Sequence, residues 1–148
     1  MGELKHIVRV AATELKGETP IYIALTKIKG VGFSFSNAVI RALDLDPQKP
    51  IGAFSDEELE KIEDCLKNPQ KYGIPSWLYN RRRDLTTGKD LHIVGPELEL
   101  QIRQDIEFMK KIRCYKGIRH ALGLKVRGQR TRSTGRKGRT VGVIRKRK

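Results

Sequence analysis

Apolar residues recur at helical spacing in the first third of the chain. Three of them share one face of a predicted helix: Ile21, Leu25 and Ile28. The sequence Gly30-Val31-Gly32 then interrupts the pattern. A second helix carries the next apolar set: Val39, Ile40 and Leu43. The pattern predicts a helix–hairpin–helix element over about residues 19–44.

Residues that favour helix N-termini stand before both helices. Thr19 precedes Pro20, which predicts a threonine N-cap and a proline at the first helical position. After the hairpin, Ser34 or Ser36 is predicted to cap the second helix. Both helices are therefore expected to begin with a side-chain cap.

A third helix is predicted after a capping box formed by Ser55 and Glu58. Its buried stripe is expected at Leu59, Ile62 and Leu66. Asn68-Pro69 is expected to end this helix, because proline cannot continue it. Beyond it, the sequence WLYNRRRD predicts a short helical turn, and TTGKD predicts a tight turn or small hairpin.

A longer helix is predicted over about residues 96–116, starting at Pro96 and ended by Gly117. Its apolar face comprises Leu98, Ile102, Ile106, Met109 and Ile112. The first residues, HIVRVAATEL, predict an arm or edge strand. Together these elements predict a mainly α fold, with a small helical body at residues 1–117 and a long, basic, extended C-terminal tail at residues 118–148.

Charge is distributed unevenly along the chain. Residues 1–107 contain 15 Lys and Arg against 17 Asp and Glu, whereas residues 108–148 contain 16 Lys and Arg and no acid. A segment of one charge sign favours a polyanionic partner over a role in solubility, which mixed charges usually serve. Nucleic acid is favoured over a membrane, because the segment has no large apolar face to insert.

The sequence contains no pattern typical of an active site or a metal site. His6, His92 and His120 are scattered, without cysteine or acidic residues at ligand spacing. Cys65 and Cys114 are far apart, which favours buried, reduced thiols in a cytosolic protein. We therefore expect no enzyme activity, no metal, no cofactor and no membrane-spanning segment.

Two segments of the body have both a structural and an RNA-binding interpretation. Gly30 and Gly32 either provide turn flexibility or hold a phosphate through the backbone N–H groups that start the next helix. Trp77 is either a half-buried residue at a solvated basic edge or a platform on which bases stack. The basic residues beside it are Arg81, Arg82 and Arg83.

The segment VRGQRTRSTGRKGRTVG, residues 126–142, interleaves basic residues with glycine, serine and threonine. Residues 119–148 have too few apolar side chains for burial to offset the entropy lost when the backbone is ordered. We therefore expect a partner to supply the order. Arginine favours bidentate phosphate contacts, glycine allows close backbone approach, and hydroxyl groups donate to phosphate or ribose.

Residues 113–143 resemble the signature region of the ribosomal protein S-thirteen family, which belongs to the head of the small subunit. The sequence RGQRT follows a Tyr-x-Gly-x-Arg-His-x-x-Gly-Leu pattern, and this combination is long and specific. IALTKIKGVG is similar to the family's helix–hairpin entry, while WLYNRRRD followed by TGKDLH, and the ending TGRKGRTVGV, are similar to its archaeal and eukaryotic branch. The resemblance covers nearly the whole chain.

The resemblance implies a structural, RNA-binding protein of cytoplasmic ribosomes. Its implied partners are small-subunit rRNA, P-site tRNA, small-subunit protein nineteen and, across the intersubunit bridge, large-subunit protein five. Carried over by position, the rRNA contacts fall on Arg119, His120, Lys125, Arg127, Arg130, Arg132, Arg136, Lys137 and Arg139. The residues implied to lie nearest tRNA are Arg145, Lys146, Arg147 and Lys148.

The hairpin departs from the family in one respect. Many members have basic residues after the Gly-x-Gly sequence, whereas this chain has Phe33-Ser34-Phe35-Ser36. Hydrophobic docking of the hairpin is therefore an alternative to phosphate binding. A free DNA-binding or repair factor with a helix-two-turns-helix body is the alternative function. An interaction protein whose basic tail is solvated or serves as a targeting signal is a third.

Overall fold

Most of the predicted helical patterns form helices, which confirms the mainly α fold. The computed structural model describes residues 4–132, and the chain divides into two compact units, Met1–Gln101 and Ile102–Lys148. The regular elements are β1 (Ile7–Val10), β2 (Thr13–Lys16), α1 (Ile21–Ala24), α2 (Phe33–Ala42), α3 (Asp56–Lys67), α4 (Gly95–Ile112) and α5 (Tyr115–Ala121). Four short 3₁₀ turns lie at Leu25–Lys27, Ile51–Ala53, Pro69–Tyr72 and Ser76–Leu78. The expected domain boundary after residue 117 stays a prediction.

The predicted N-terminal strand is one half of a β-hairpin. Strands β1 and β2 are antiparallel, with Val10 opposite Thr13. Ala11 and Ala12 form the turn with φ angles of 46° and 58°, as a two-residue hairpin turn requires. The side chains of Val8, Val10 and Leu15 are buried in the core of the first unit.

Helix α1 begins without the predicted threonine cap. Pro20 occupies the N-cap position, and no side chain there binds the helix backbone. Thr19 instead accepts a hydrogen bond at its carbonyl oxygen from the N–H of Ile51, at 3.0 Å. The predicted cap is wrong because the backbone at this point pairs with the segment before α3. The predicted apolar face of the first helical segment is confirmed: Ile21, Leu25 and Ile28 are fully buried.

The predicted serine cap of α2 is also wrong. Gly32 is the N-cap residue and makes no side-chain bond, while Ser34 and Ser36 lie inside the helix. Ser36 is fully buried, and its hydroxyl donates to the Tyr22 carbonyl oxygen at 2.9 Å. The hydroxyl therefore links α2 to α1, because a buried hydroxyl needs a hydrogen-bond partner and the Tyr22 carbonyl provides it.

Helix α3 confirms its sequence prediction. The Ser55 hydroxyl accepts from the Glu58 N–H at 3.3 Å, and the Ser55 N–H donates to the Glu58 carboxylate at 2.8 Å. The predicted stripe of Leu59, Ile62 and Leu66 is buried. Cys65 is fully buried beside this stripe, and desolvation raises the pKa of its thiol to about 11. The thiol is therefore protonated at neutral pH, as expected for a structural cysteine.

The long helix is shorter than expected and its apolar face is only partly covered, with Leu98, Ile106 and Met109 half-buried. Helix α4 ends at Ile112, and its only buried residue is Gly95. Of the predicted face, Ile102 and Ile112 are 49% and 58% exposed. Periodicity identifies an apolar face but not what covers it. Among residues 4–132, no residue of α4 belongs to the buried hydrophobic core of the chain.

The Gly-x-Gly hairpin packs against the loop that precedes α4. A Cβ atom on Gly30 would lie 2.6 Å from the Ile93 carbonyl oxygen, and the φ angle of Gly30 is +97°. Next to this contact, the Phe35 ring stacks on His92 with centroids 3.7 Å apart. The Asn80 side chain exchanges two hydrogen bonds with the Ile93 backbone, at 2.6 and 3.0 Å. The hairpin and the loop therefore pack closely, through the Gly30 backbone and the Phe35–His92 stack.

His92 is held in the neutral state by this packing. Its Nδ1 accepts a hydrogen bond from the Asn80 backbone N–H at 3.3 Å, so the ring proton belongs on Nε2. Among the described residues, Nε2 is buried without a hydrogen-bond partner. Desolvation lowers the pKa of His92 from 6.5 to about 4.

We predict that Gly30→Ala and Gly32→Ala differ sharply in stability. The first change places a methyl group against backbone at a positive φ, which is expected to cost about 2 kcal/mol or more. At Gly32 the φ angle is −100° and no atom lies within 4 Å of an added Cβ. That change should therefore cost less than about 1 kcal/mol, the scale of an N-cap substitution. Urea denaturation measures both, and equal losses would contradict the proposed packing.

We predict an acid-sensitive contribution from His92. Because its folded-state pKa is depressed, the unfolded chain binds a proton first, and stability falls as pH drops from 6.5 towards 4. The free energy of unfolding should decrease by about 2 kcal/mol between about pH 7 and pH 5. His92→Gln should lose that decrease whatever its absolute stability. A slope unchanged by the substitution would show that His92 does not cause it.

Candidate nucleic-acid interface

The second unit begins its basic sequence at a tight junction between α4 and α5. Arg113 adopts a φ of +58° there, and the Cys114 thiol accepts a hydrogen bond from the Gly117 N–H at 3.4 Å. A Cβ on Gly117 would lie 2.0 Å from the Met109 carbonyl oxygen. Gly117 was expected to end a helix, but it lies inside α5 and allows α5 to approach the end of α4. Cys114 is half-buried rather than buried, and caps α5.

Arg119 shapes the turn that follows α5. Its Nε donates to the Lys125 carbonyl oxygen at 2.9 Å, and its own carbonyl accepts from the Leu124 N–H at 2.9 Å. Gly123 has a φ of +67° within this turn. Part of the guanidinium predicted to bind rRNA thus contacts the chain itself and holds the backbone of this turn at Lys125.

The other predicted rRNA contacts differ in exposure. Lys125, Arg127, Arg130 and Arg132 are exposed, and His120 is half-buried. Arg136, Lys137, Arg139 and the four terminal residues Arg145, Lys146, Arg147 and Lys148 lie outside the described residues. No aspartate or glutamate follows Glu107 in the sequence. The described part of this segment therefore exposes cations without neighbouring acids in sequence.

The two glycines of the hairpin face different surroundings. Gly30 contacts the chain's own loop, while a Cβ on Gly32 would meet open space. The start of α2 after Gly32 has no side-chain cap and no acidic residue in its first turn. Phe33 is 64% exposed, whereas Phe35 is buried. The structure thus divides the hairpin into an internal side at Gly30 and an open side at Gly32.

Trp77 stands outside the core and is 68% exposed. The next aromatic residue, Tyr79, is buried and donates its hydroxyl hydrogen to the Ile74 carbonyl oxygen at 2.8 Å. Of the two interpretations of Trp77, the half-buried one does not hold among residues 4–132. An exposed indole on a turn anchored by a buried tyrosine is a surface on which a planar group can stack.

The three arginines after Trp77 lie in different environments. Arg81 donates from Nε to Asp84 at 2.6 Å, and its side chain is 18% exposed. Arg82 and Arg83 are exposed. The φ angle of Arg83 is +50°, and its N–H donates to the Asp90 carboxylate at 2.8 Å. Arg81 is therefore part of the loop's framework, while its two neighbours face outward.

Asp84 organises this loop. Its second carboxylate oxygen accepts hydrogen bonds from the Thr86 hydroxyl at 2.6 Å and from the Thr87 N–H and hydroxyl at 3.0 and 2.9 Å. These bonds, together with that from Arg81, hold the pKa of Asp84 well below its usual range. The carboxylate is ionised at neutral pH, so the predicted tight turn is built around a fixed charge.

One feature of the first unit was not predicted from the sequence. A groove of about 580 Å³ lies between the outward face of α2 and residues 72–78. Its α2 wall carries Ser34, Asn37 and Arg41, and its other wall carries Trp77. Polar residues at positions 34, 37 and 41 have helical spacing, but the sequence contains no signal that pairs them with Trp77.

No helix among residues 4–132 is long and apolar enough to cross a membrane. In the same part of the chain, no group of three or more His, Cys, Asp or Glu residues is placed to hold a metal ion.

The chain is similar to known ribosomal proteins over most of its length, including the basic signature segment. The family described as "Ribosomal protein S13/S18" matches residues 9–137. The chain is 54% identical over 144 residues to "Small ribosomal subunit protein uS13" of Staphylothermus marinus, covering 97% of this chain and 95% of that protein. It is 57% identical over 142 residues to the protein of that name from Nanoarchaeum equitans, covering 96% and 93%. For Methanopyrus kandleri the identity is 53% over 146 residues, covering 97% of each chain. Because the match spans the hairpin, the loop and the basic segment alike, the chain belongs to the ribosomal protein S13/S18 family.

Proposed function

We propose that this chain binds rRNA in the head of the small ribosomal subunit and acts there in translation, on cytoplasmic ribosomes. Family membership supports a structural role in the small subunit, and the family is one of ribosomal structural proteins rather than enzymes. The observation that carries the rRNA proposal is the acid-free segment 108–148, with 16 Lys and Arg. Such a segment binds a polyanion through phosphate contacts and the release of counterions.

We propose that the RNA-binding extension begins at residue 118. Its rRNA contacts are Arg119, His120, Lys125, Arg127, Arg130, Arg132, Arg136, Lys137 and Arg139. The turn held by Arg119 supports this assignment, because it fixes the backbone at Lys125 while the side chains of Lys125 and Arg127 stay exposed. The residues nearest P-site tRNA are Arg145, Lys146, Arg147 and Lys148.

The protein partners in this proposal are small-subunit protein nineteen and large-subunit protein five. Exposed apolar side chains in the second unit support a protein contact, because burial against a partner would remove their apolar surface from water. They are Phe108, Ile112, Tyr115, Ile118 and Leu122, each at least 49% exposed. We assign protein nineteen to this apolar set. The first unit then contributes to the intersubunit bridge with protein five.

We predict that a chain with Arg127, Arg136 and Arg139 all changed to Gln binds small-subunit rRNA with a weaker dependence on salt. Three lost phosphate contacts should reduce the slope of log affinity against log salt by about 2 to 3. The measurement is a titration of head-domain rRNA at several salt concentrations.

A matched variant, with the exposed residues Lys16, Lys27 and Lys61 changed to Gln, loses the same charge from the first unit. Its slope should stay close to that of the unchanged chain. Equal slopes for the two variants would refute the assignment to the extension. Preference of the unchanged chain for duplex DNA over rRNA would instead favour a free DNA-binding factor.

A further inference from the structure

The groove beside α2 has two chemically distinct walls; we call it the α2 groove. One wall is the face of α2 that carries Ser34, Asn37 and Arg41, and the other is the chain from Tyr72 to Leu78. Its volume of about 580 Å³ falls within the range of small-molecule and cofactor sites. Both walls belong to the first unit.

The α2 wall offers hydrogen-bonding groups. Within residues 4–132, the side chains of Ser34, Asn37 and Arg41 make no hydrogen bond or ion pair. Asn37 supplies both donors and an acceptor, and Arg41 supplies a positive charge with several donors. None of the residues lining the groove is acidic. The wall therefore suits a ligand that combines a negative charge with a polar edge.

The opposite wall offers a fixed aromatic surface. Trp77 lies in the 3₁₀ turn Ser76–Leu78, whose backbone is closed by the bond from the Leu78 N–H to the Pro75 carbonyl at 3.1 Å. The buried Tyr79 anchors the end of this turn. Trp77 is thus exposed without being on a long loop, and a planar ligand can stack on it with little ordering of the chain.

We propose that the α2 groove binds one unstacked nucleobase of single-stranded rRNA. The base face rests on Trp77, its edge meets Asn37 and Ser34, and its phosphate lies at Arg41. An aromatic platform next to arginine and amide groups is how proteins hold splayed-out bases. The inference rests on the proposed rRNA-binding function, and it assigns RNA contacts to α2 that lie away from the basic extension in sequence.

Charge favours RNA over a protein segment as the occupant. Arg41 is the only charged residue lining the groove, and the neighbouring start of α2 adds the positive end of a helix dipole without an acidic residue to offset it. A larger cavity, of about 840 Å³, lies between residues 67–71 and the start of α4. It is lined by acids as well as lysines, and its Lys67 and Lys71 pair with Glu63 and Asp64. That cavity shows no such preference for an anion.

The test uses the full chain and the fluorescence of Trp77, the sole tryptophan in the sequence. The probe is an end-labelled single-stranded oligouridylate of about twelve nucleotides, within the range of single-strand site sizes. Label anisotropy reports binding by any part of the chain, whereas quenching of Trp77 reports a base in the groove. An abasic oligomer of equal length and charge should raise anisotropy without quenching Trp77.

Four variants and a control assign the effect to the groove. Asn37→Ala and Arg41→Gln should each raise the RNA concentration needed for half-maximal quenching, by about three- to tenfold. Arg9→Gln, an exposed position on β1 with the same charge change, should leave it unchanged. Trp77→Phe retains a stacking ring, so its preference by anisotropy for the oligouridylate over the abasic oligomer should exceed that of Trp77→Ala by about fivefold or more.

The possible outcomes distinguish failure of the groove proposal from failure of the rRNA-binding proposal. RNA binding that leaves Trp77 unquenched, or equal quenching by the abasic oligomer, would overturn the groove proposal while the rRNA-binding proposal stands. Identical quenching curves for Arg41→Gln and Arg9→Gln would also overturn the groove. If the oligouridylate does not bind at all by anisotropy, the groove proposal fails; the rRNA-binding proposal fails only if head-domain rRNA also does not bind.

Discussion

The close approach of the hairpin to the loop before α4 is the contact on which the rest of the first unit depends. Gly30 sits against the Ile93 carbonyl oxygen, where any side chain would collide. One helical turn away, Phe35 stacks on His92, so α2 is fixed at its first turn. The backbone N–H of Gly95 donates to the Lys29 carbonyl at 2.8 Å, which ties the start of α4 to the same place. A single glycine therefore allows three segments to meet.

The same contact determines which groups remain available outside. With Phe35 turned inward and Gly30 covered, Gly32 and the polar face of α2 remain open. In the loop, Arg81 forms an ion pair with Asp84. The side chains of its neighbours Arg82 and Arg83 are exposed. Burial and charge pairing thus sort chemically similar neighbours into framework and surface. The fold of the first unit thereby determines which side chains are exposed for its proposed contacts with RNA.

In the basic segment, residues 108–148, charge rather than burial is the dominant feature. Its charge is not balanced within its own sequence, and its described part is directed by short contacts at Cys114, Gly117 and Arg119. Residues 1–107 carry a slight net negative charge, so they attract a polyanion less than the basic segment does. Family membership places the chain in the small ribosomal subunit, and in the proposed function rRNA supplies the opposite charge.

Sequence alone determined the features that are local or compositional. The capping box of α3, the buried stripe at Leu59, Ile62 and Leu66, the mainly α fold and the charge division could all be read from neighbouring residues. Helix periods and charge need no knowledge of distant contacts.

Tertiary structure decided the rest, because the remaining features join residues far apart in the chain. Ser36 became a bridge to Tyr22 rather than a cap, and the apolar face of α4 stayed only half-buried or exposed among the described residues. The side of the hairpin that is open depends on a loop some sixty residues later, as does the stack of Phe35 on His92. The α2 groove likewise exists only because packing places α2 beside Trp77.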